Sequence, residues 1–158
     1  EHDATGARFE RAESDGLTPL GAWTLHGRLD RIDRAADGQA LVIDYKTEGR
    51  TRTADRIKNA HEDTQLAFYA ALLSDDTLRA AYLNVGERDG TKLYEQPDVT
   101  VLRDRLIDSI RHDLTRIADG APLPALGEGS ACDWCSARGL CRRDSWASGS
   151  TATGGYAT

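Results

Sequence analysis

Hydrophobic and polar positions alternate along the first third of the chain as the strands of a sheet require. Alternating apolar residues occupy a first candidate strand: Trp23, Leu25 and Leu29. A second apolar segment, 41–43, is a short run rich in β-branched residues, which is typical of a buried strand. Asp37-Gly38 lies between them and is a strong hairpin signal. The pattern therefore predicts two antiparallel strands over residues 22–34 and 40–46.

The alternation changes phase near Asp30, because Ile32 has the opposite parity to Leu29. A bend or bulge at this point is expected, and such features often re-aim a side chain at a site. Upstream, residues 8–13 predict a short strand. Ser14-Asp15-Gly16 and Pro19 then predict a turn region.

Basic residues are concentrated in residues 47–60, which have no apolar periodicity. The segment predicts a loop or lid that meets an acidic ligand such as a phosphate backbone, with a plain solvated loop as the alternative. Two further arginines follow the last cysteine of the chain. The candidate DNA-binding residues are Arg50, Arg52, Arg56, Lys58, Arg142 and Arg143.

Helical spacing begins at residue 63. Apolar residues recur every three or four positions over 63–73, which predicts a helix on which Gln65 and Tyr69 share a face. Residues 78–85 then predict a strand, and Asp89-Gly90 predicts a turn into a hairpin partner over 92–95.

A second helix is predicted over residues 99–118, after Pro97-Asp98 and before Gly120. One apolar stripe runs along it: Leu102, Leu106, Ile110, Leu114 and Ile117. We interpret this stripe as core packing without a functional role.

Size and composition are those of one globular domain, with 158 residues, 39% hydrophobic and 29% charged. No apolar run reaches the roughly 20 residues that span a bilayer, so no membrane association is expected. The net charge of −6 argues against non-specific polyanion binding over the whole surface. The chain begins with Glu1 and has no methionine, so we expect a fragment of a longer protein.

An acid and a base stand at the end of the predicted strand 40–46. Alternate side chains of an extended chain share a face, so Asp44 and Lys46 point the same way and Tyr45 points away. Such a pair is able to bind a metal ion together with a nucleophilic water. For these residue types alone, a surface ion pair is the commoner explanation.

The predicted hairpin supplies a second carboxylate. Asp30 and Asp44 lie at similar distances from the turn, so they are expected to approach one another across the ladder. Two converging carboxylates repel unless a cation neutralises them, which favours a shared metal site. The alternative is that Asp30 forms a surface ion pair with Arg28 or Arg31.

Three cysteines lie close together near the end of the chain, at Cys132, Cys135 and Cys141. An odd, clustered set is a poor basis for disulfides and favours a reducing compartment and a metal or cluster site. A small zinc-stabilised domain, with His112 or Asp144 as fourth ligand, remains open at this point.

Taken together, these motifs closely resemble the PD-(D/E)XK nucleases, and within them the RecB-like nuclease domain. The resemblance rests on Gly-Arg-Leu-Asp-Arg-Ile-Asp (27–33), Val-Ile-Asp-Tyr-Lys-Thr (42–47) and Gln-Leu-Ala-Phe-Tyr (65–69). The cysteine pattern over 132–141 is similar to the tail of the iron–sulfur subgroup, which includes AddB-type and CRISPR adaptation nucleases. Cys-Arg-Arg-Asp after Gly-Leu looks most like bacterial AddB-type proteins. The resemblance covers about residues 8–144.

The resemblance implies an α/β (α+β) fold with a central mixed sheet, an antiparallel catalytic hairpin and flanking helices. It implies a nuclease core over 1–120 and a cysteine-rich segment over 121–144. The residues that follow are mostly Ala, Ser, Gly and Thr, and this composition predicts a flexible tail over 145–158. The implied activity is metal-dependent hydrolysis of DNA, as an exonuclease in recombination and double-strand break repair. The implied partners are DNA and an AddA-like helicase–nuclease subunit, and the implied location is the bacterial cytoplasm.

The same resemblance implies residue roles. Asp30, Asp44 and the backbone carbonyl of Tyr45 would ligate Mg²⁺ or Mn²⁺, which prefer hard oxygen donors. Lys46 would orient the attacking water and stabilise charge on the phosphate. The pair on the following helix would support the lysine or the substrate backbone, namely Gln65 and Tyr69.

Two features depart from the family pattern. RecB-like enzymes usually add a histidine ligand from an upstream helix, and neither His2 nor His26 lies in that context. A [4Fe–4S] cluster needs four cysteines, and the fourth is absent from this chain. A catalytically silent nuclease fold that serves as a DNA-binding or scaffold module is therefore the alternative function.

Overall fold

The computed structural model describes residues 6–86, 90–122, 132–133 and 135–141. The chain divides into two compact units, Glu1–Asp113 and Leu114–Thr158. All residues of the predicted nuclease motifs that precede the cysteines lie in the first unit.

The first unit is built on a mixed five-stranded sheet in the order β1-β2-β3-β4-β5. Among the described strands, β3 and β4 pair in parallel and the other neighbours pair antiparallel. The strands are β1 Arg8–Leu20, β2 Trp23–Arg34, β3 Ala40–Lys46, β4 Arg79–Gly86 and β5 Gly90–Glu95. The helices are α1 Arg50–Lys58, α2 Gln65–Ala71, α3 Val99–Ala118 and α4 Arg138–Cys141. This architecture confirms the predicted α+β fold with its antiparallel hairpin.

The hairpin of β2 and β3 forms where the sequence predicts it. Gly38 takes a positive φ of 85°, which glycine adopts without steric cost. The Ala35 amide donates to the Gln39 carbonyl at 2.9 Å and closes the turn. The resulting register sets Arg31 opposite Ile43.

β1 is longer than predicted. The segment read as a turn, residues 14–16 and Pro19, instead continues the strand and pairs with β2 as far as Leu20 opposite Trp23. The actual turn follows at Gly21, which has a φ of 62°. Proline is tolerated here because β1 is an edge strand, where a missing N–H breaks no ladder. The prediction of a turn at 14–19 is therefore wrong.

The expected change of phase near Asp30 is present. Glu13, across the ladder from Asp30, has a left-handed φ of 48°. Leu29 and Ile32 both lie in the same core cluster despite their opposite parity. A further register shift occurs in β1 between Phe9 and Arg11.

The main core lies between the sheet and α2. Its buried members are Leu29, Ile32, Ala40, Val42, Leu66, Ala70, Leu72, Leu78, Ala80, Tyr82 and Val99. A smaller cluster on the other face consists of Leu41, Ile43 and Ala81. Because both faces of β3 are covered, its apolar run is continuous rather than alternating.

The segment predicted as a loop or lid contains helix α1, so that prediction is wrong. Thr53 is the one buried residue of this helix. The sequence of α1 has no apolar stripe from which a helix could be predicted. Tertiary hydrogen bonds hold it instead. Asn84 of β4 donates to the Thr53 hydroxyl at 2.8 Å and to the Glu48 carbonyl at 2.7 Å.

Helix α3 has the bounds that the sequence predicts, but its apolar stripe is not a core. Within the described part of the chain, none of the five stripe residues is fully buried, and Ile117 is 47% exposed. The interpretation of the stripe as core packing is therefore wrong. In the residues described, no helix is both long and apolar enough to cross a membrane.

Candidate active site

The carboxyl end of β3 carries the acid and base that the sequence singles out. Asp44 is almost fully buried, with 2% of its surface exposed, and Lys46 is half-buried. The Lys46 Nζ lies 2.7 Å from Asp44 Oδ2. Both side chains point to the α2 side of the sheet, as the alternation of an extended strand requires.

Gln65, the first residue of α2, connects this pair to the helix. Its Nε2 donates to Asp44 Oδ1 at 2.7 Å, and its Oε1 accepts from Lys46 Nζ at 2.7 Å. The same Nε2 lies 3.2 Å from the Tyr69 hydroxyl one turn later. The structure therefore brings together four of the predicted site residues, and the amide of Gln65 fixes the separation between the acid and the base.

Asp30 joins the site from β2. Its Oδ2 accepts a hydrogen bond from the Tyr45 amide at 3.2 Å. The β2–β3 register ends with Arg31 opposite Ile43, so Asp30 and Asp44 are the next residues on the two strands. The Tyr45 side chain points to the opposite face, where its hydroxyl accepts from Arg31.

The arginines beside Asp30 have other partners. Arg28 pairs with Glu13 on the surface. Arg31 donates to both oxygens of the fully buried Asp33, at 2.6 and 2.9 Å. In the described residues, the structure shows neither of the surface ion pairs considered as alternatives for Asp30.

Burial and the second carboxylate disfavour negative charge at this site. Burial raises the pKa of Asp44, Lys46 lowers it in part, and Asp30 raises it again. Burial likewise raises the pKa of Tyr69, so its hydroxyl keeps its proton. Two carboxylates in this position favour a bound cation.

The donor set suits a hard divalent cation. Asp44 Oδ2 is buried, contacts Lys46, and accepts no hydrogen bond of acceptable geometry among the described residues. The same described part of the chain contains no group of three histidines, cysteines or acids able to hold a metal. Mg²⁺ typically takes one or two carboxylates and completes its shell with waters and substrate phosphates. Asp30 and Asp44 supply two carboxylates of that kind, and the Tyr45 carbonyl stays a predicted third donor.

A second polar layer, which sequence reasoning missed, surrounds the lysine. The Lys46 Nζ lies 4.8 Å from the ring centroid of Tyr82. The Tyr82 hydroxyl donates to Asp63, Asp63 pairs with Arg56, and Arg56 also binds Glu48. Tyr82 has the pattern of an ordinary buried strand residue, so no sequence signal distinguished it.

The four basic residues predicted in this region belong to α1 and have protein partners. Arg52 pairs with Glu48 at 3.1 Å, and Lys58 pairs with Asp55 at 2.9 Å. Arg50 donates to the Gly90 carbonyl, and Arg56 lies in the layer described above. Arg142 and Arg143 lie outside the described residues.

The cysteines belong to the second unit. Cys132 is half-buried, while Cys135 and Cys141 are exposed, and the described residues show no disulfide. These residues also do not form a three-ligand metal group. Of the two candidate fourth zinc ligands, His112 is exposed and Asp144 lies outside the described residues. The cluster and zinc hypotheses therefore remain predictions.

One known protein family matches most of this chain. A family model described as the PD-(D/E)XK nuclease superfamily matches residues 1–142. Among solved structures, the crystal structure of SSO0001 is similar with 20% identity and a TM-score of 0.47, over 87% of this chain and 61% of that chain. The chain thus spans less than two thirds of that structure's length. No curated protein matches the chain. The family model covers most of the sequence, and the chain belongs to the PD-(D/E)XK nuclease superfamily.

Proposed function

We propose that this domain is a metal-dependent deoxyribonuclease that hydrolyses phosphodiester bonds. One observation carries the proposal: Asp44, Lys46 and Gln65 form a closed set of 2.7 Å contacts at the end of β3, with Asp30 beside it. An acid and a base at the end of β3, with a second acid on β2, are the groups that water activation next to a phosphate requires. Superfamily membership supports the same conclusion.

The side chains divide the chemistry between them. Asp30, Asp44 and the Tyr45 carbonyl would hold Mg²⁺ or Mn²⁺, which when bound lowers the pKa of water and offsets charge on the phosphoryl oxygens. Lys46 donates hydrogen bonds to the attacking water and to the phosphate. Its positive charge stabilises the negative charge that increases on the phosphate oxygens in the transition state. Gln65 holds Lys46 and Asp44 at a fixed separation, and Tyr69 supports Gln65.

The biological setting is part of the proposal and rests on the sequence resemblance. The motif order and the cysteine tail favour an AddB-type exonuclease module in recombination and double-strand break repair. The partner would be an AddA-like helicase–nuclease subunit in the bacterial cytoplasm. A [4Fe–4S] cluster on Cys132, Cys135 and Cys141 would then need a fourth ligand from outside this chain.

The test is digestion of end-labelled single- and double-stranded DNA with Mg²⁺ or Mn²⁺, compared with EDTA. We expect metal-dependent cleavage, and a loss of about 10²–10³-fold in Lys46→Ala with a similar or larger loss in Asp44→Ala. Lys92→Ala, which removes an exposed lysine of β5, is the matched control and should cleave normally. A covalently closed circular substrate separates the proposed exonuclease from an endonuclease, since only an endonuclease cuts it.

Wild-type activity in Lys46→Ala would refute the assignment. DNA binding without cleavage by the wild-type protein, in the presence of either metal, would instead indicate the silent scaffold module.

A further inference from the structure

The ammonium group of Lys46 is held on several sides. Asp44 Oδ2 and Gln65 Oε1 each lie 2.7 Å from Nζ. The aromatic ring of Tyr82 lies next to the same nitrogen, with its centroid 4.8 Å away. An ammonium at this distance from a ring face is attracted by the ring quadrupole, more strongly where water is excluded.

Tyr82 is itself held in place. The residue is 1% exposed, so its ring is packed in the core. Burial raises the pKa of its hydroxyl, and the hydrogen bond to Asp63 raises it further. The hydroxyl therefore keeps its proton and donates it in a hydrogen bond to Asp63.

Asp63 stays ionised in spite of partial burial. Burial opposes its charge, but the hydrogen bonds from Tyr82 and Arg56 outweigh burial and lower its pKa. Its carboxylate therefore accepts hydrogen bonds both from the neutral Tyr82 hydroxyl and from the Arg56 guanidinium of α1.

Arg56 closes the circuit. One edge of its guanidinium binds Glu48, with Nε 2.6 Å from Oε1 and Nη2 3.0 Å from Oε2. The remaining nitrogen, Nη1, donates to Asp63. Glu48 follows Lys46 in the chain by two residues. The contacts thus run from Lys46 to Tyr82, Asp63, Arg56 and Glu48 and return to the backbone next to Lys46.

We infer that Tyr82, Asp63 and Arg56 are positioning residues that fix the Lys46 ammonium for the reaction. In this role Arg56 acts through the lysine and not on a DNA phosphate. The kinetic part of this inference rests on the proposed function; its structural part does not.

The charges around Arg56 favour this role. Its single positive charge is matched by two carboxylates, Glu48 and Asp63, and together with Arg52, which also pairs with Glu48, these four side chains carry no net charge. Such a group does not attract a phosphate. The side chain is only 27% exposed, and its planar fork is rigid enough to set the angle between two carboxylates. Arg52, by comparison, is 75% exposed.

The lysine signals in an NMR spectrum test the structural part without any substrate. The chain contains three lysines, Lys46, Lys58 and Lys92, so ¹³C-lysine labelling yields three sets of Hε signals. Lys46, identified by its loss in Lys46→Ala, should be shifted upfield by the Tyr82 ring. Lys58 has an aspartate as its partner and is the unshifted reference.

Tyr82→Leu should return the Lys46 signal to the position of Lys58, because it removes the ring. Tyr82→Phe keeps the ring and removes only the hydroxyl. Tyr82→Phe and Arg56→Gln each leave the ring in place but remove one of the contacts that hold it. Each single variant should therefore broaden the Lys46 signal or reduce its upfield shift in part. If the Lys46 signal is the same in wild type, Tyr82→Leu and Arg56→Gln, the inference is overturned.

Steady-state kinetics on DNA test the functional part. Arg56→Gln should lower kcat by about 10- to 100-fold, the range for a misplaced catalytic group, with KM unchanged. Arg56→Lys, which keeps the charge but not the fork, should not restore kcat. Arg103→Gln is the matched control and should leave kcat unchanged, because Arg103 of α3 also bridges two carboxylates, Asp76 and Asp104.

The opposite pattern would overturn the inference: Arg56→Gln with raised KM and normal kcat, restored by Arg56→Lys, identifies a phosphate contact. Equal melting temperatures of wild type and Tyr82→Phe confirm that a kcat loss in this variant is not unfolding. A wild-type protein that shows the ring shift but no cleavage would refute the proposed nuclease and leave the positioning contacts established.

Discussion

Gly16 and Gly27 face each other across the β1–β2 ladder, under the C-terminal end of α2. A methyl group added at Gly16 would lie 2.8 Å from Leu72 Cβ and 3.2 Å from Leu29 Cδ1. A Cβ atom moves only with its backbone, so this clash requires α2 or β1 to shift. Since α2 carries Gln65, the absence of a side chain at Gly16 is part of what seats the candidate site.

The expected cost of Gly16→Ala follows from this geometry. Overpacking a tight site costs about 1–3 kcal/mol. Replacing glycine by alanine also lowers the conformational entropy of the unfolded chain, which stabilises the folded state by about 0.4–1 kcal/mol. The net free energy of unfolding should fall by about 1–2 kcal/mol. With an m-value of about 2 kcal/mol/M, the urea midpoint should fall by about 0.5–1 M.

Gly27→Ala is the graded comparison. A methyl group there meets Leu72 Cδ1 at 2.8 Å and Phe68 Cε1 at 3.1 Å, which are ends of side chains that can rotate away. Its cost should be smaller, and Leu72→Ala should relieve it in a double-mutant cycle. Leu72→Ala keeps the Cβ and should not relieve Gly16→Ala. A Gly16→Ala midpoint equal to or above that of Gly27→Ala would refute the reasoning.

Three further changes have defined outcomes. Gln65→Leu removes the bonds to Asp44 and Lys46 and should lower kcat about 10²-fold, measured by cleavage kinetics; unchanged kcat would contradict the role of the amide. The lowered pKa of Asp63 means that its contribution to stability is present above about pH 4 and is lost as the pH falls further. Between pH 2 and 6, the melting temperature should thus depend less on pH in Asp63→Asn than in wild type. An equal dependence on pH in the two proteins would count against this role of Asp63. If a metal or cluster binds the cysteines, Cys135→Ser should lower the melting temperature of anaerobically purified protein; visible absorbance indicates iron–sulfur, and colourless protein with bound zinc indicates a zinc site.

Local patterns were sufficient for the β2–β3 hairpin, for α3 and for the grouping of Asp30, Asp44 and Lys46. Each depends on contacts within a hairpin or on one element's periodicity, which neighbouring residues encode directly. The pairing of Gln65 with Tyr69 was also visible, because a four-residue spacing places two side chains on one helix face.

Patterns failed where long-range contacts decide the structure. Helix α1 has no apolar stripe, and it is held by hydrogen bonds from Asn84, 31 residues further along the chain. Turn residues at 14–19 did not end β1, because pairing with β2 extends through them. The stripe of α3 has helical periodicity, but periodicity does not reveal what covers a face.

The sequence by itself therefore determined the elements of the site, their order and their chemical types. Only the tertiary structure decided how the charges are shared. Arg52 and Arg56 belong to the same basic segment, and the sequence does not distinguish them. The fold places Arg56 between Glu48 and Asp63 and leaves Arg52 largely exposed. The reason is physical: an arginine's role depends on which carboxylates reach its five donors. Glu48 and Asp63 lie only eight and seven residues from Arg56 in the chain, but the chain must fold back on both sides of α1 to bring them to it.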